Sequence, residues 1–150
     1  MLFDCSLNPN CFIFFHENNY CGILTRYSKG ARCERELLTI LHDRGYSVVR
    51  SAGSGVNSIS PDLVAVRKGR GLAFECKAWE STSISIDPDK YRSLVEWEQN
   101  SEMQTFIAWR MNGQGWFFVG LGELFRAEKN YTITMKDAKR INRKIDEIMK

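Results

Sequence analysis

Pro61-Asp62, followed after twelve intervening residues by Glu75-Cys76-Lys77, is the part of this chain best suited to chemistry. Two carboxylates beside an ammonium can hold a hard divalent cation through oxygen ligands while a fixed positive charge faces an anionic substrate. Breaking a phosphodiester needs the phosphate charge neutralised, a water held in line and help for the departing oxygen. Asp62 and Glu75 offer carboxylates and the Cys76 backbone carbonyl a further oxygen, so the expected metal is Mg²⁺, with Mn²⁺ as a substitute. Lys77 would orient the water or stabilise developing negative charge. A surface salt bridge between Lys77 and either acid explains an isolated E-x-K triplet more simply, so the surroundings must decide.

Strands are needed to make these residues converge. Asp62 to Arg67 and Gly71 to Ala78 read as two strands joined by the turn Lys68-Gly69-Arg70. Side chains alternate along a strand, so Glu75 and Lys77 project to one face, Cys76 to the other, and a hairpin brings Asp62 beside them. A third acid comes from a helix. Ser28 is the expected N-cap of a helix from Lys29 to Arg44, with Ala31, Glu34, Leu38 and Leu41 on one stripe and Gly45 as the stop. A carboxylate on an otherwise core-facing stripe is costly, so Glu34 is a candidate to join the metal site directly or through water; the bland alternative is an acid at the edge of the stripe reaching solvent. Glu36 lies about 200° around from it and is expected to face solvent or a partner.

Groups suited to a nucleic-acid backbone surround the acids: Arg32 and Arg35 on that helix, Arg50 at the end of a strand from Tyr46, and Ser51 and Ser54 in a small-residue loop running to Ser60. Each taken singly is an ordinary solvated side chain.

Further along, Asp87 to Asn100, with Pro88 near its start, reads as a helix whose apolar face carries Tyr91, Leu94, Val95 and Trp97. Met103 to Arg110 and Gly115 to Val119 read as strands around the Asn112-Gly113 turn. Thr134 and Asp137 resemble a capping box, followed by a stripe of Ala138, Ile141, Ile145 and Ile148 opposite Lys136, Lys139, Arg140, Arg143 and Lys144.

The 150 residues fit one α/β domain with enough apolar content for a core. Net charge is +3, yet no Lys or Arg precedes Arg26 whereas Asp4 and Glu17 do, so from Arg26 onward the balance is 21 − 16 = +5. That excess suits a phosphate-bearing partner without requiring one. No apolar run spans a bilayer and the head lacks a signal-peptide pattern, so no membrane association and a cytoplasmic location are expected. Five cysteines at spacings that match no zinc pattern are expected to be free thiols. Residues 1–27 form an N-terminal extension of unknown role, whether a partner-binding segment, an appendage or sequence upstream of the true start, ahead of a body at 28–150.

The stretches Lys29-Gly30-Ala31-Arg32-Cys33-Glu34-Arg35-Glu36-Leu37, Val48-Val49-Arg50-Ser51-Ala52-Gly53-Ser54, Pro61-Asp62-Leu63-Val64 and Phe74-Glu75-Cys76-Lys77 closely resemble the archaeal Holliday junction resolvases of the PD-(D/E)xK nuclease superfamily. The likeness is densest from Lys29 to Ala78. It implies a restriction-endonuclease-like α/β fold, a central mixed β-sheet flanked by helices. It further implies a homodimer that binds a four-way DNA junction and makes paired nicks in strands of like polarity, in recombination and repair. By resemblance Glu34, Asp62 and Glu75 are the metal-site acids, Lys77 the catalytic lysine, Arg35 and Arg50 basic residues needed for activity, and Ser54 the serine of a mobile loop. Cys76 stands where the family is usually aliphatic, and the loop from Ser54 to Pro61 is longer than in some relatives. Two equivalent scissile strands suit a two-fold dimer, for which Leu94, Val95 and Trp97 with the strand Met103 to Trp109 are the candidate interface, if they are not ordinary core. A related nuclease with another DNA target, or a junction-binding module without catalysis, are the competing functions.

Overall fold

The computed structural model describes residues 26–51 and 59–150. α1 (Arg26–Asp43) ends where Gly45 takes a φ of 81°, a turn that a side chain would resist. Ser28 lies inside α1 and is not its N-cap: the helical pattern extends two residues further back, to Arg26. β1 (Ser47–Arg50), β2 (Leu63–Arg67) and β3 (Arg70–Ala78) follow as antiparallel neighbours. Lys68 and Gly69, at φ 48° and 79°, form the tight connection between β2 and β3, as the turn residues foretell.

Next come β4 (Ser83–Ile86), α2 (Pro88–Ser101), β5 (Gln104–Met111) and β6 (Gly115–Gly120). Asp87 caps α2 by accepting a hydrogen bond from Asp89 N at 2.9 Å, and Pro88 occupies the first turn, where its missing N–H costs nothing. β5 lies parallel to β3 and antiparallel to β6, giving one mixed sheet in the order β1-β2-β3-β5-β6.

A short 3₁₀ turn leads to β7 (Phe125–Arg126) and β8 (Tyr131–Thr134), which pair with β4 in a separate three-stranded sheet. Thr134 caps α3 (Met135–Ile141), accepting from Asp137 N at 3.2 Å. The expected continuous tail helix breaks at Asn142, which adopts a left-handed φ of 47°, and a separate turn, α4 (Ile145–Ile148), follows. Asparagine tolerates that conformation better than other residues with side chains.

The large sheet carries an apolar cluster on each face. Leu37 and Leu41 of α1 meet Leu63, Leu72, Phe74 and Phe106 with Ile148 on one side, whereas Leu94 of α2 meets Ile107, Trp109 and Val119 with Ile84 and Ile133 of the small sheet on the other. Leu94 and strand positions Ile107 and Trp109 are therefore fully buried within a single chain: of the two readings open for them, they are ordinary core and not interface. Val95 also packs against this cluster, leaving Trp97 half-buried toward the outer side of α2.

Candidate active site

Register explains why Asp62 and Glu75 meet. Leu63 pairs with Phe74 across the hairpin, so the next position outward sets Asp62 opposite Glu75. Leu63, Phe74 and Cys76 face the α1 cluster, which turns Asp62, Glu75 and Lys77 to the α2 side. Beyond Leu63 the ladder stops, because the residue facing Cys76 is Pro61, which has no N–H. The Asp62 side chain takes over: its Oδ2 accepts from Cys76 N at 2.7 Å. In a strand the N–H and C=O of one residue leave on the same side, so the Cys76 carbonyl is directed to this opening without a ladder donor.

Glu75 is the buried charge of the site, only 4 % exposed. Lys77 Nζ donates to its Oε1 at 2.7 Å. Lys90 Nζ, from the first turn of α2, lies 3.0 Å from Oε2 but donates to the Ser60 carbonyl at 2.8 Å. Oε2 itself accepts no hydrogen bond although it is sealed from solvent. Such an acceptor, beside a second carboxylate and the Cys76 carbonyl, suits a hard divalent ion.

Burial, reinforced by the charge on Glu75, raises the Asp62 pKa from 3.8 to about 6, against the lowering effects of the Cys76 N–H, Lys77 and Lys90. Desolvation pulls the Lys77 pKa down, but the charge and hydrogen bond of Glu75, with help from Asp62, leave it above its ordinary value. Lys77 is therefore a cation at neutral pH and not a proton acceptor. On the opposite face, a hydrogen bond with Cys33 and burial push the Cys76 thiol well up, which keeps it protonated; Cys33 and Cys76 are both free and buried.

Glu34 is half-buried on the inner side of α1, as its stripe foretells, but its carboxylate goes to Arg50, whose Nε donates to Oε2 at 2.6 Å. Among the described residues no three His, Cys, Asp or Glu side chains gather closely enough to hold a metal, so Glu34 does not join Asp62 and Glu75 here. Glu36, expected to face solvent or a partner, instead accepts from Arg110 Nε at 2.8 Å and Trp116 Nε1 at 3.0 Å, both from the β5–β6 hairpin. Arg32 and Arg35 are exposed. Ser51 is tied to the loop, donating to the Pro61 carbonyl at 2.7 Å. Ser54 lies outside the described residues.

Two residues near the site escaped the sequence reading. Lys90 looks like any helix-surface lysine, and only its place in the first turn, against the helix dipole, was a signal. Trp79, 51 % exposed just past β3, shares a cleft of about 480 Å³ with Arg32, Lys77 and Arg110.

Residues 25–149 match the protein family described as archaeal Holliday junction resolvase (Hjc). The crossover junction endodeoxyribonuclease Hjc of Methanocaldococcus jannaschii is 37 % identical over 109 residues, covering 72 % of this chain and 77 % of that protein. The one from Archaeoglobus fulgidus is 34 % identical over 107 residues, covering 71 % and 79 %. The solved structure of Archaeoglobus fulgidus Hjc, a Holliday junction resolvase, superposes with a TM-score of 0.68 at 29 % identity, over 75 % of this chain and 89 % of that one. With sequence and fold matched over most of the described body, the chain belongs to the archaeal Holliday junction resolvase family of crossover junction endodeoxyribonucleases.

Proposed function

We propose that this endonuclease cuts four-way DNA junctions with a divalent ion, Mg²⁺ or Mn²⁺ in its place, held by Asp62, Glu75 and the Cys76 carbonyl. The observation that carries this reading is Glu75 Oε2, a buried carboxylate oxygen without a hydrogen bond beside a second carboxylate. The chemistry that an ion held by these residues would supply is neutralisation of phosphate charge and a lower pKa for the attacking water. Lys77, fixed on Glu75 Oε1, supplies a permanent positive charge toward the reacting phosphate. Arg32 and Arg35 give exposed guanidinium groups for the DNA backbone, and Ser51 steadies the loop entering Asp62. Glu34 and Arg50 act as a pair at the rim of the site, with Ser54 as a loop contact to the junction.

The direct test incubates purified protein with a labelled four-way junction and with plain duplex, with and without Mg²⁺. Metal-dependent nicking of the junction in preference to duplex is expected. Nicking of duplex at an equal rate would favour a nuclease with another target, and absence of nicking with either Mg²⁺ or Mn²⁺ would favour a binding module.

A homodimer fits two equivalent scissile strands. Its proposed surface is the outer side of α2, where Trp97 and the exposed Ile59 border a shallow groove with Ser93 and Asn100. Sedimentation of Ile59→Glu and Trp97→Glu is expected to show monomers; dimers from both would move the interface elsewhere. No helix among the described residues is long and apolar enough to cross a membrane, and a cytoplasmic site of action is part of the same proposal.

A further inference from the structure

Lys90 is in an unfavourable place for an ordinary surface lysine. It sits in the first turn of α2, two residues after Pro88, where the helix dipole repels a cation. Its side chain is 19 % exposed, so the charge is also largely withdrawn from water. Contacts with described residues help to offset these costs: the Ser60 carbonyl accepts its N–H at 2.8 Å, and Glu75 Oε2 lies 3.0 Å away. The first ties α2 to the residue before Pro61-Asp62, and the second puts a positive charge against the one oxygen of Glu75 that accepts no hydrogen bond.

Glu75 is thus met by an ammonium on each oxygen, in different ways. Lys77 makes a directed hydrogen bond to Oε1, whereas Lys90 meets Oε2 as an ion pair without a hydrogen bond and donates one to Ser60. A contact of the second kind is the easier to give up. We propose that Lys90 is a positioning residue of the active site: it balances the charge of Glu75 Oε2 before a divalent ion arrives, and competes with that ion for the same oxygen. This rests on the metal reading given above. Lys90 then sets how much ion the enzyme requires, while its bond to Ser60 keeps α2 and the entry to β2 in step.

The test is Mn²⁺ binding to the full chain without DNA, followed by electron paramagnetic resonance at pH 8, for wild type, Lys90→Gln, Lys90→Arg and Glu75→Gln. Lys90→Gln keeps a donor for the Ser60 carbonyl but drops the charge, and should bind Mn²⁺ about five- to tenfold more tightly. Lys90→Arg should remain within about twofold of wild type, since the charge is retained. In single-turnover cleavage, the half-saturating Mg²⁺ concentration of Lys90→Gln should fall in parallel, while the rate at saturation does not rise. Unchanged or weaker Mn²⁺ binding by Lys90→Gln would overturn the role of Lys90, because a purely structural lysine could only weaken the site when replaced. Mn²⁺ binding by Glu75→Gln equal to wild type would instead overturn the metal reading itself.

Discussion

The carboxylate of Asp62 occupies the hydrogen-bonding position that Pro61 leaves vacant opposite Cys76, accepting the Cys76 N–H at 2.7 Å. One side chain therefore both closes the strand ladder and forms one wall of the candidate active site. Burial and the charge of Glu75 set against it a pKa raised from 3.8 to about 6.

That conflict predicts a substitution that stabilises the fold as it destroys function. The folded chain keeps the Asp62 proton to higher pH than the unfolded chain, so without divalent ions stability falls as pH rises from about 4 to about 6, then levels off. Asp62→Asn retains the acceptor for Cys76 and removes the charge. It should raise unfolding stability at pH 8 by up to about 3 kcal/mol, flatten that pH dependence, and lower junction cleavage by about a thousandfold or more while binding persists. Urea denaturation with chelator present checks the first part; a loss of stability would show that the charge is well accommodated.

Glu75→Gln should behave oppositely in stability and alike in activity. Removing this carboxylate leaves Lys77 and Lys90 facing one another without their shared counter-charge. A loss of about 3 kcal/mol is expected in the same denaturation series, together with loss of cleavage. Equal or greater stability would mean the two ion pairs contribute nothing net.

Glu34 and Arg50 offer a coupling measurement. Their 2.6 Å contact joins α1 to the end of β1 and is partly shielded. In a double-mutant cycle with Glu34→Gln and Arg50→Ala, an interaction of about 1 kcal/mol is expected in unfolding free energy. Cleavage should drop in each single variant and fall little further in the double. Additive losses in cleavage would separate the roles of the two residues.

Arg143 grips Glu123 through two hydrogen bonds of 2.6 Å and also donates to the Phe118 carbonyl at 3.1 Å. The guanidinium bonds lower the Glu123 pKa below 4.5 against the opposing effect of burial. A depressed folded-state pKa gives stability that is present above the unfolded value and lost as pH falls through the folded one. Glu123→Gln should therefore remove part of the acid limb of a stability profile and cost about 1 kcal/mol at pH 7, the pair being partly solvated. A profile unchanged below pH 4.5 would assign the acid transition to other groups.

The elements that carry their own signals were readable in the sequence: the amphipathic α1, the β2–β3 hairpin with its Lys68-Gly69 turn, the capped α2 and the Thr134 cap. Asp62, Glu75 and Lys77 came with the hairpin, because a period of two fixes which residues share a face. The small sheet was not readable. Ser83–Ile86 is short and half polar, and its partner Tyr131–Thr134 lies nearly fifty residues away, with no local turn to announce the pairing. The tail helix misled for the opposite reason: Ile141, Ile145 and Ile148 keep helical spacing across the break that Asn142 introduces. Glu36 and Lys90 depend on contacts brought from distant strands and loops, which periodicity does not encode.

The two acids and the lysine occupy one uninterrupted stretch from Asp62 to Lys77, folded back on itself by two turn residues. Closing so short a loop costs little entropy compared with bringing in Glu34 or Lys90. The same economy makes the stretch intolerant of insertions and deletions. One residue added to or removed from either strand would shift the pairing by one and turn Glu75 or Asp62 to the α1 side. Insertions before Asp62 or after Lys77, by contrast, leave this pairing, and with it the shared facing of the two acids and the lysine, undisturbed.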